Sequence, residues 1–254
     1  MLLWLTCTHG RFKCLQRNLR CYLDQDTKEE SVMFICNSGK PLKVAVETAD
    51  IRPNQHIYVD NCSLMNFQSV GEKYNHAIKL AMKLYPDCTV VCHSDDDDIF
   101  LPNHLTEGYN GYIRGLSQHL AVAYKPQQSY YRYRDQNGNV VVIPAENTLE
   151  PSIFVDAEYL LQQGYAPVSV SYHQHWLNPL LESNRLFIDP TGVGTLIYNW
   201  GDNGSPAGEY NIYKMSGSGQ DTHNNFIAHS RVSKDMGDGI LTPTEDNTQY
   251  YKLP

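Results

Sequence analysis

Through the first half of the chain, the spacing of apolar residues switches repeatedly between strand-like and helix-like. Residues 2–8, Leu-Leu-Trp-Leu-Thr-Cys-Thr, form an apolar and β-branched run closed by His9-Gly10, which predicts a strand and a turn. Cys14, Leu15, Leu19, Tyr22 and Leu23 then recur at helical spacing and predict a helix over about 13–23. Strands are predicted over 32–36, ended by Asn37-Ser38-Gly39, and over 56–59. Val70, Tyr74, Ala77, Ile78, Ala81 and Leu84 make one stripe, so 69–85 reads as a helix stopped by Pro86. A strand over 88–92, a helix opened by Pro102 and running to about 118, and a strand over 120–124 complete this half.

Repeated βα units imply a mainly parallel sheet with right-handed crossovers and helices on both faces, an α/β, Rossmann-like fold. Ligands of such sheets sit beyond the carboxyl ends of the strands. Thr8-His9, Asn37-Ser38 and Asp95 to Asp98 all follow strands directly, so they are expected to gather at one edge.

The second half reads differently. Segments 130–135 and 140–144 flank a polar Gly-containing link and predict a hairpin. A strand over 152–155, a helix over 157–163 ended by Gly164, a helix over 175–183 despite Pro179, and a strand over 195–200 follow. From Gly201 onward Gly, Ser, Asn and Asp dominate, which suits a lid or a loosely packed wrap. The expected organisation is one continuous domain: a ligand-binding half over 1–125, a small mixed subdomain over 126–200, and a polar tail over 201–254.

With 254 residues, 41% hydrophobic and 19% charged, the chain suits a soluble globular protein, and no run approaches membrane-spanning length. Met1 to Leu5 is too short for a signal segment and lacks a basic lead. A net charge of −8 gives no global pull toward nucleic acid, although Arg11, Lys13, Arg17 and Arg20, and also Arg132 and Arg134, leave a local basic face open. All seven cysteines precede residue 93, with no Cys-x-x-Cys. This argues against zinc or disulfide frameworks and for the reducing cytoplasm.

The most informative stretch is Asp95-Asp96-Asp97-Asp98-Ile99-Phe100-Leu101-Pro102. Adjacent carboxylates repel one another unless cations, donors or water compensate. At a strand's C-terminal end they are well placed to hold a hard divalent cation against a phosphate-bearing ligand; a solvated acidic turn is the plainer alternative.

The order of these pieces resembles the GT-A fold glycosyltransferases, family 2 in particular. Thr8-His9-Gly10-Arg11 stands where that family carries Thr-Tyr-Asn-Arg, and Cys36-Asn37-Ser38-Gly39 where it carries Asp-Asp-Gly-Ser. Gly71-Glu72-Lys73-Tyr74-Asn75-His76-Ala77 matches Gly-x-x-x-Asn-x-Ala, and residues 95–102 match Asp-x-Asp-Asp-x-x-x-Pro. The resemblance implies a metal-dependent, inverting transfer of a sugar from a nucleotide-sugar donor to an acceptor hydroxyl. Mn²⁺ or Mg²⁺ would be held by Asp97 and Asp95, with Asp95 alternatively on the ribose. Asp96 is also a candidate donor-binding residue, and it and Asp98 would otherwise support the site from behind or face water. Thr8, His9 and Asn37 would meet the base, while Lys73 or Arg11 would replace an arginine usual at Tyr74 on the diphosphate.

The family's catalytic base is a carboxylate before an amphipathic helix, but Ser171-Tyr172-His173-Gln174-His175-Trp176 contains none. His173 is the nearest substitute, with Glu182, Asp189 or no inverting chemistry as alternatives. His223, in the polar tail, is a further candidate for the metal. The acceptor is open among a glycan, a protein, a small molecule or a modified nucleobase. Two readings compete from other classes: a donor-binding module without catalysis, and a nucleotidyltransferase. The latter would normally carry a Gly-rich basic loop after the first strand.

Overall fold

The structure, a computed structural model, describes residues 1–9, 11–134, 139–146, 150–169, 171–199 and 237–253. Their order is β1 (Leu2–Thr8), α1 (Phe12–Leu23), β2 (Ser31–Asn37), β3 (Lys43–Val44), β4 (Gln55–Asn61), α2 (Val70–Leu84), β5 (Val90–His93), β6 (Ile99–Phe100) and α3 (His104–His119). There follow β7 (Ala123–Pro126), β8 (Ser129–Arg134), β9 (Val140–Ala145), β10 (Phe154–Asp156), α4 (Ala157–Gln163), α5 (Gln174–Glu182), β11 (Leu186–Asp189), β12 (Leu196–Asn199) and β13 (Ile240–Leu241).

The central sheet has the order β11-β7-β10-β5-β1-β2-β4. Strands β5, β1, β2 and β4 pair in parallel, with Thr8, Asn37 and Asn61 level at their carboxyl ends. Strand β10 alone runs antiparallel, between β5 and β7. A second, mixed sheet, β6-β12-β8-β9, grows from the segment that follows the aspartates. The α/β class and the small mixed subdomain are as the sequence predicts.

Alternation along β1 feeds two cores. Leu2 and Trp4 join Leu15, Leu19, Tyr22, Phe100 and Leu105 on one face. Leu3 and Leu5 join Tyr74, Ala77, Ile78, Leu160 and Trp176 on the other. Strands buried on both faces have to be apolar throughout, which is why β1 and β2 lack a polar alternation.

Helix α3 packs through small residues. A Cβ on Gly108 would lie 1.9 Å from the Phe154 ring, and one on Gly111 would lie 2.0 Å from the Tyr124 ring. Their absence lets α3 lie directly on β10 and β7.

The sequence reading missed β11, the short pair β3/β13 and β6. Each is only two to four residues long, below the length at which a period can be recognised. Among the described residues no helix is long and apolar enough to cross a membrane. His223 and most of the 201–254 tail lie outside the described residues.

Candidate functional site

The carboxyl ends of β1, β2 and β5 converge as expected. Thr8 donates to Asp96 at 2.5 Å, Ser38 N donates to the Thr8 carbonyl at 3.2 Å, and the His9 ring lies 3.0 Å from the Ser38 hydroxyl. The four aspartates divide by exposure. Asp96 and Asp98 are fully buried, whereas Asp95 and Asp97 are partly open. Of the two alternatives for Asp96 and Asp98, exposure to water is ruled out by their burial. Asp96 accepts from Thr8 and pairs with Arg11 at 2.5 Å, and Asp98 accepts from the Asn199 backbone at 3.0 Å.

The loop that carries them is fixed from several sides. Asn18 of α1 accepts from the Trp4 indole at 3.2 Å and donates to Ser94 at 2.7 Å and to the Asp95 carbonyl at 3.0 Å. Arg17, buried under the loop, donates to the Asp97 carbonyl at 2.5 Å. Asn199 donates to that same carbonyl at 3.1 Å and accepts from Arg132 at 3.1 Å. Such bracing fixes the turn through its backbone and leaves the Asp95 and Asp97 side chains at its partly open side, where they meet Tyr74 and Arg11.

Electrostatics follow from this crowding. Burial, then Glu150 and Asp97, push the Asp95 carboxyl up to about 7. Burial and Asp97 likewise hold Asp98 well above the usual carboxylate range. Arg11 is the counter-charge: it pairs with Asp97 as well as Asp96. Burial works against its charge, but Asp96 and Asp97 outweigh it and raise its pKa further.

Among the described residues, the arginines that the sequence groups as a basic face are engaged within the protein. Arg11 and Arg17 are engaged with the aspartate loop, Arg20 pairs with Asp24 at 2.8 Å, and Arg132 donates to Asn199. The Arg134 side chain lies outside the described residues.

Two residues expected to touch a donor, Lys73 and Asn37, and Tyr74 in the arginine position make contacts within the protein. Lys73, mostly buried, donates to the Thr8 carbonyl and, at 2.8 Å, to Ser38, strapping the β1 and β2 loops to α2. Asn37 donates to the Lys40 carbonyl at 2.8 Å and to Asn61 at 3.1 Å, and it accepts from Gly39 N at 2.9 Å. Both its N–H donors are thus engaged within the protein. Tyr74, in the arginine position, is buried and donates to Asp95 at 3.2 Å.

The Gly-x-x-x-Asn-x-Ala motif has a mechanical explanation. A Cβ on Gly71 would lie 1.8 Å from the Ala166 carbonyl oxygen, so only glycine admits the 164–168 turn. Asn75 then clamps Tyr165, accepting from its N–H and donating to its carbonyl, each at 2.8 Å. Gly164 at φ +67° ends α4 in the backbone region that glycine tolerates best. This docking brings Tyr165 and Tyr172 against Tyr74, with ring centroids 5.0 and 5.1 Å away.

The same docking places His173, the predicted base, at the site, and there it meets a residue the sequence reading missed. Glu150 opens the 3₁₀ turn Glu150–Ser152 ahead of β10, and its carboxylate lies 3.1 Å from Nδ1 of His173 and 3.5 Å from Nε2 of His93. Burial works against protonation of His173, but Glu150 outweighs it and raises the pKa. His93, fully buried and stacked on Trp176 at 5.4 Å, is instead pushed down by burial. Glu150 is itself nearly buried, and its Oε1 has no hydrogen-bond partner among the described residues.

The donor set suits a hard divalent ion. Mg²⁺ and Mn²⁺ take oxygen ligands and are typically bound by one or two carboxylates plus phosphate oxygens and water. Asp95 and Asp97 supply that pair at an accessible edge. Among the described residues no third carboxylate or histidine completes an all-protein cage around them.

No protein-family model matches the chain, and no curated protein matches it. Solved structures do. S. aureus TarS 1-349 in complex with UDP-GlcNAc aligns with a TM-score of 0.55 at 15% identity, over 93% of this chain and 68% of that one. TarS 1-349 in complex with UDP gives 0.52 at 14% identity, over 79% and 60%. The chain shares the fold of these TarS structures. A further TarS structure gives 0.53 at 13% identity, over 78% of this chain and 36% of that one. The present chain therefore spans between about a third and two thirds of the TarS chains it matches.

Proposed function

We propose that the chain is a metal-assisted, inverting glycosyltransferase of GT-A, family 2-like type, taking its sugar from a nucleotide donor such as UDP-GlcNAc. The observation that carries this reading is the split within the aspartate run. Two carboxylates are buried to fix the turn, and two emerge beside the ends of β1 and β2, where a parallel sheet binds nucleotides.

Asp95 and Asp97 would hold Mn²⁺ or Mg²⁺. The bound ion would supply electrostatic stabilisation of the departing diphosphate. Arg11, now paired with Asp96 and Asp97, is the residue placed to turn toward phosphate oxygens when a cation takes its place. Thr8, His9 and Ser38 line the edge where the base and ribose would lie.

In the proposed transfer the acceptor oxygen bonds to the sugar's anomeric carbon as the bond to the diphosphate breaks. His173 Nε2 takes the hydroxyl proton. Glu150 faces the other ring nitrogen, fixing the tautomer and stabilising the imidazolium that forms. The Tyr172 ring packs edge-on against His173 and would help to orient it.

Incubating the protein with UDP-GlcNAc and Mn²⁺ and following UDP release tests the proposal. Slow hydrolysis that requires the metal and is lost in Asp97→Asn is expected. Donor binding without turnover would favour a binding module. Pyrophosphate release from a nucleoside triphosphate would favour a nucleotidyltransferase.

A further inference from the structure

A second group of metal-type side chains lies at the carboxyl ends of β2 and β4, with Cys36 on β2, Asp60 on β4 and Cys62 just after it. Cys36, Asp60 and Cys62 offer one ligand atom each, all within 4.8 Å of one another. The two sulfurs are 3.4 Å apart, and the Cys36 sulfur is 3.9 Å from the nearer Asp60 oxygen. Tetrahedral zinc with Zn–S of about 2.3 Å and Zn–O of about 2.0 Å would separate sulfur from sulfur by roughly 3.8 Å and sulfur from oxygen by roughly 3.5 Å. Small side-chain shifts convert one set into the other. Cys36 and Asp60 are direct partners in the β2–β4 register, and Cys62 N donates to the Asn37 carbonyl at 2.9 Å, so the backbone already holds the ligands together.

We infer that Cys36, Asp60 and Cys62 bind a thiophilic divalent cation, Zn²⁺ by its chemistry. Two thiolates and one carboxylate select a borderline-soft ion over Mg²⁺ or Mn²⁺. His76 on α2 contacts the same Asp60 oxygen at 2.7 Å, the arrangement in which an outer histidine orients a ligating carboxylate. A disulfide would use only the two sulfurs, whereas a cation uses all three groups. Cys36 and Cys62 are buried, and Asp60 is partly open, giving a path for entry. On binding, each thiol loses its proton to solvent as its sulfur becomes a thiolate ligand, and the fourth position is left to water. This site is distinct from the Asp95/Asp97 pair and does not depend on the reading given to that pair. Its structural effect is to pin the ends of β2 and β4, where Asn37 and Asn61 are already joined.

The test is Co²⁺ titration of the full chain after chelation and thiol reduction, followed by optical absorption. One equivalent is expected to produce the intense sulfur-to-cobalt charge-transfer band and tetrahedral visible bands, both reversed by excess Zn²⁺. Cys62→Ser and Cys36→Ser should lose the charge-transfer band, and Asp60→Asn should weaken Co²⁺ binding at least tenfold. Asp97→Asn should leave the spectrum intact, which separates this site from the aspartate pair. Circular dichroism of each variant guards against simple unfolding. Absence of the band in the wild type, its persistence in Cys62→Ser, or formation of a Cys36–Cys62 disulfide in a protein that gives no cobalt spectrum would overturn the inference.

Discussion

The Glu150 carboxylate lies 3.1 Å from Nδ1 of His173, joining the turn ahead of β10 to the start of α5. Strand β10 makes this possible. Because it runs antiparallel beside β5, the turn that precedes it sits at the ligand-binding edge, next to His93 and the aspartates.

If His173 is the base and Glu150 orients it, the two variants separate. His173→Ala should lower kcat by about 10²–10⁴-fold. Glu150→Gln should retain more activity and shift the pH profile. Glu150 raises the His173 pKa, and the base acts when unprotonated. Removing the carboxylate therefore moves the acid limb of kcat to lower pH. An unmoved limb would assign Glu150 a purely structural role.

His104 provides a pH test of stability. It is buried against Cys92 and Thr195, and burial pushes its imidazole down to about 3. The unfolded chain takes up a proton near pH 6.5 while the folded one does not, so stability present above that pH is lost as pH falls. Between pH 7 and 5 this one group should cost about 2 kcal/mol, seen as a lower urea midpoint. His104→Gln should flatten that part of the curve.

Much of the fold is legible because periodicity and punctuation agree in the first half. β1 and α4 match their expected limits, and α1 and α2 fall within a residue of theirs. Buried Arg17 and Asn18 were hidden because both sit in a helix whose apolar stripe already looked complete. Glu150 lies in the sequence Asn-Thr-Leu-Glu-Pro, which carries no motif, and only the antiparallel insertion of β10 gives it a role. Asn37 and Lys73 sit at the strand ends and helix face expected of them, and their partners within the protein were not foreseen. Neighbouring loops claim their polar atoms, and such long-range pairings leave no local trace.

Gly111 sets helix propensity against packing. Alanine should favour an exposed helix by about 1 kcal/mol. Here its Cβ would meet the Tyr124 ring, so Gly111→Ala should instead destabilise by about 1–3 kcal/mol. Thermal unfolding decides the sign.

Asn199 ties β12 to the aspartate turn through Asp97 and Arg132. Asn199→Ala removes two side-chain bonds and should lower stability by about 1–3 kcal/mol. If the loop positions the metal ligands, it should also raise the Kd for Mn²⁺ in the presence of UDP.

Calorimetric titration of UDP with and without Mn²⁺, on the wild type and on Asp97→Asn, bears most directly on the proposed grip of a cation-bound diphosphate. Binding at least tenfold tighter with Mn²⁺, about 1.4 kcal/mol, is expected in the wild type, with the gain abolished in the variant. Equal affinity with and without the metal, or a gain that survives Asp97→Asn, would contradict it.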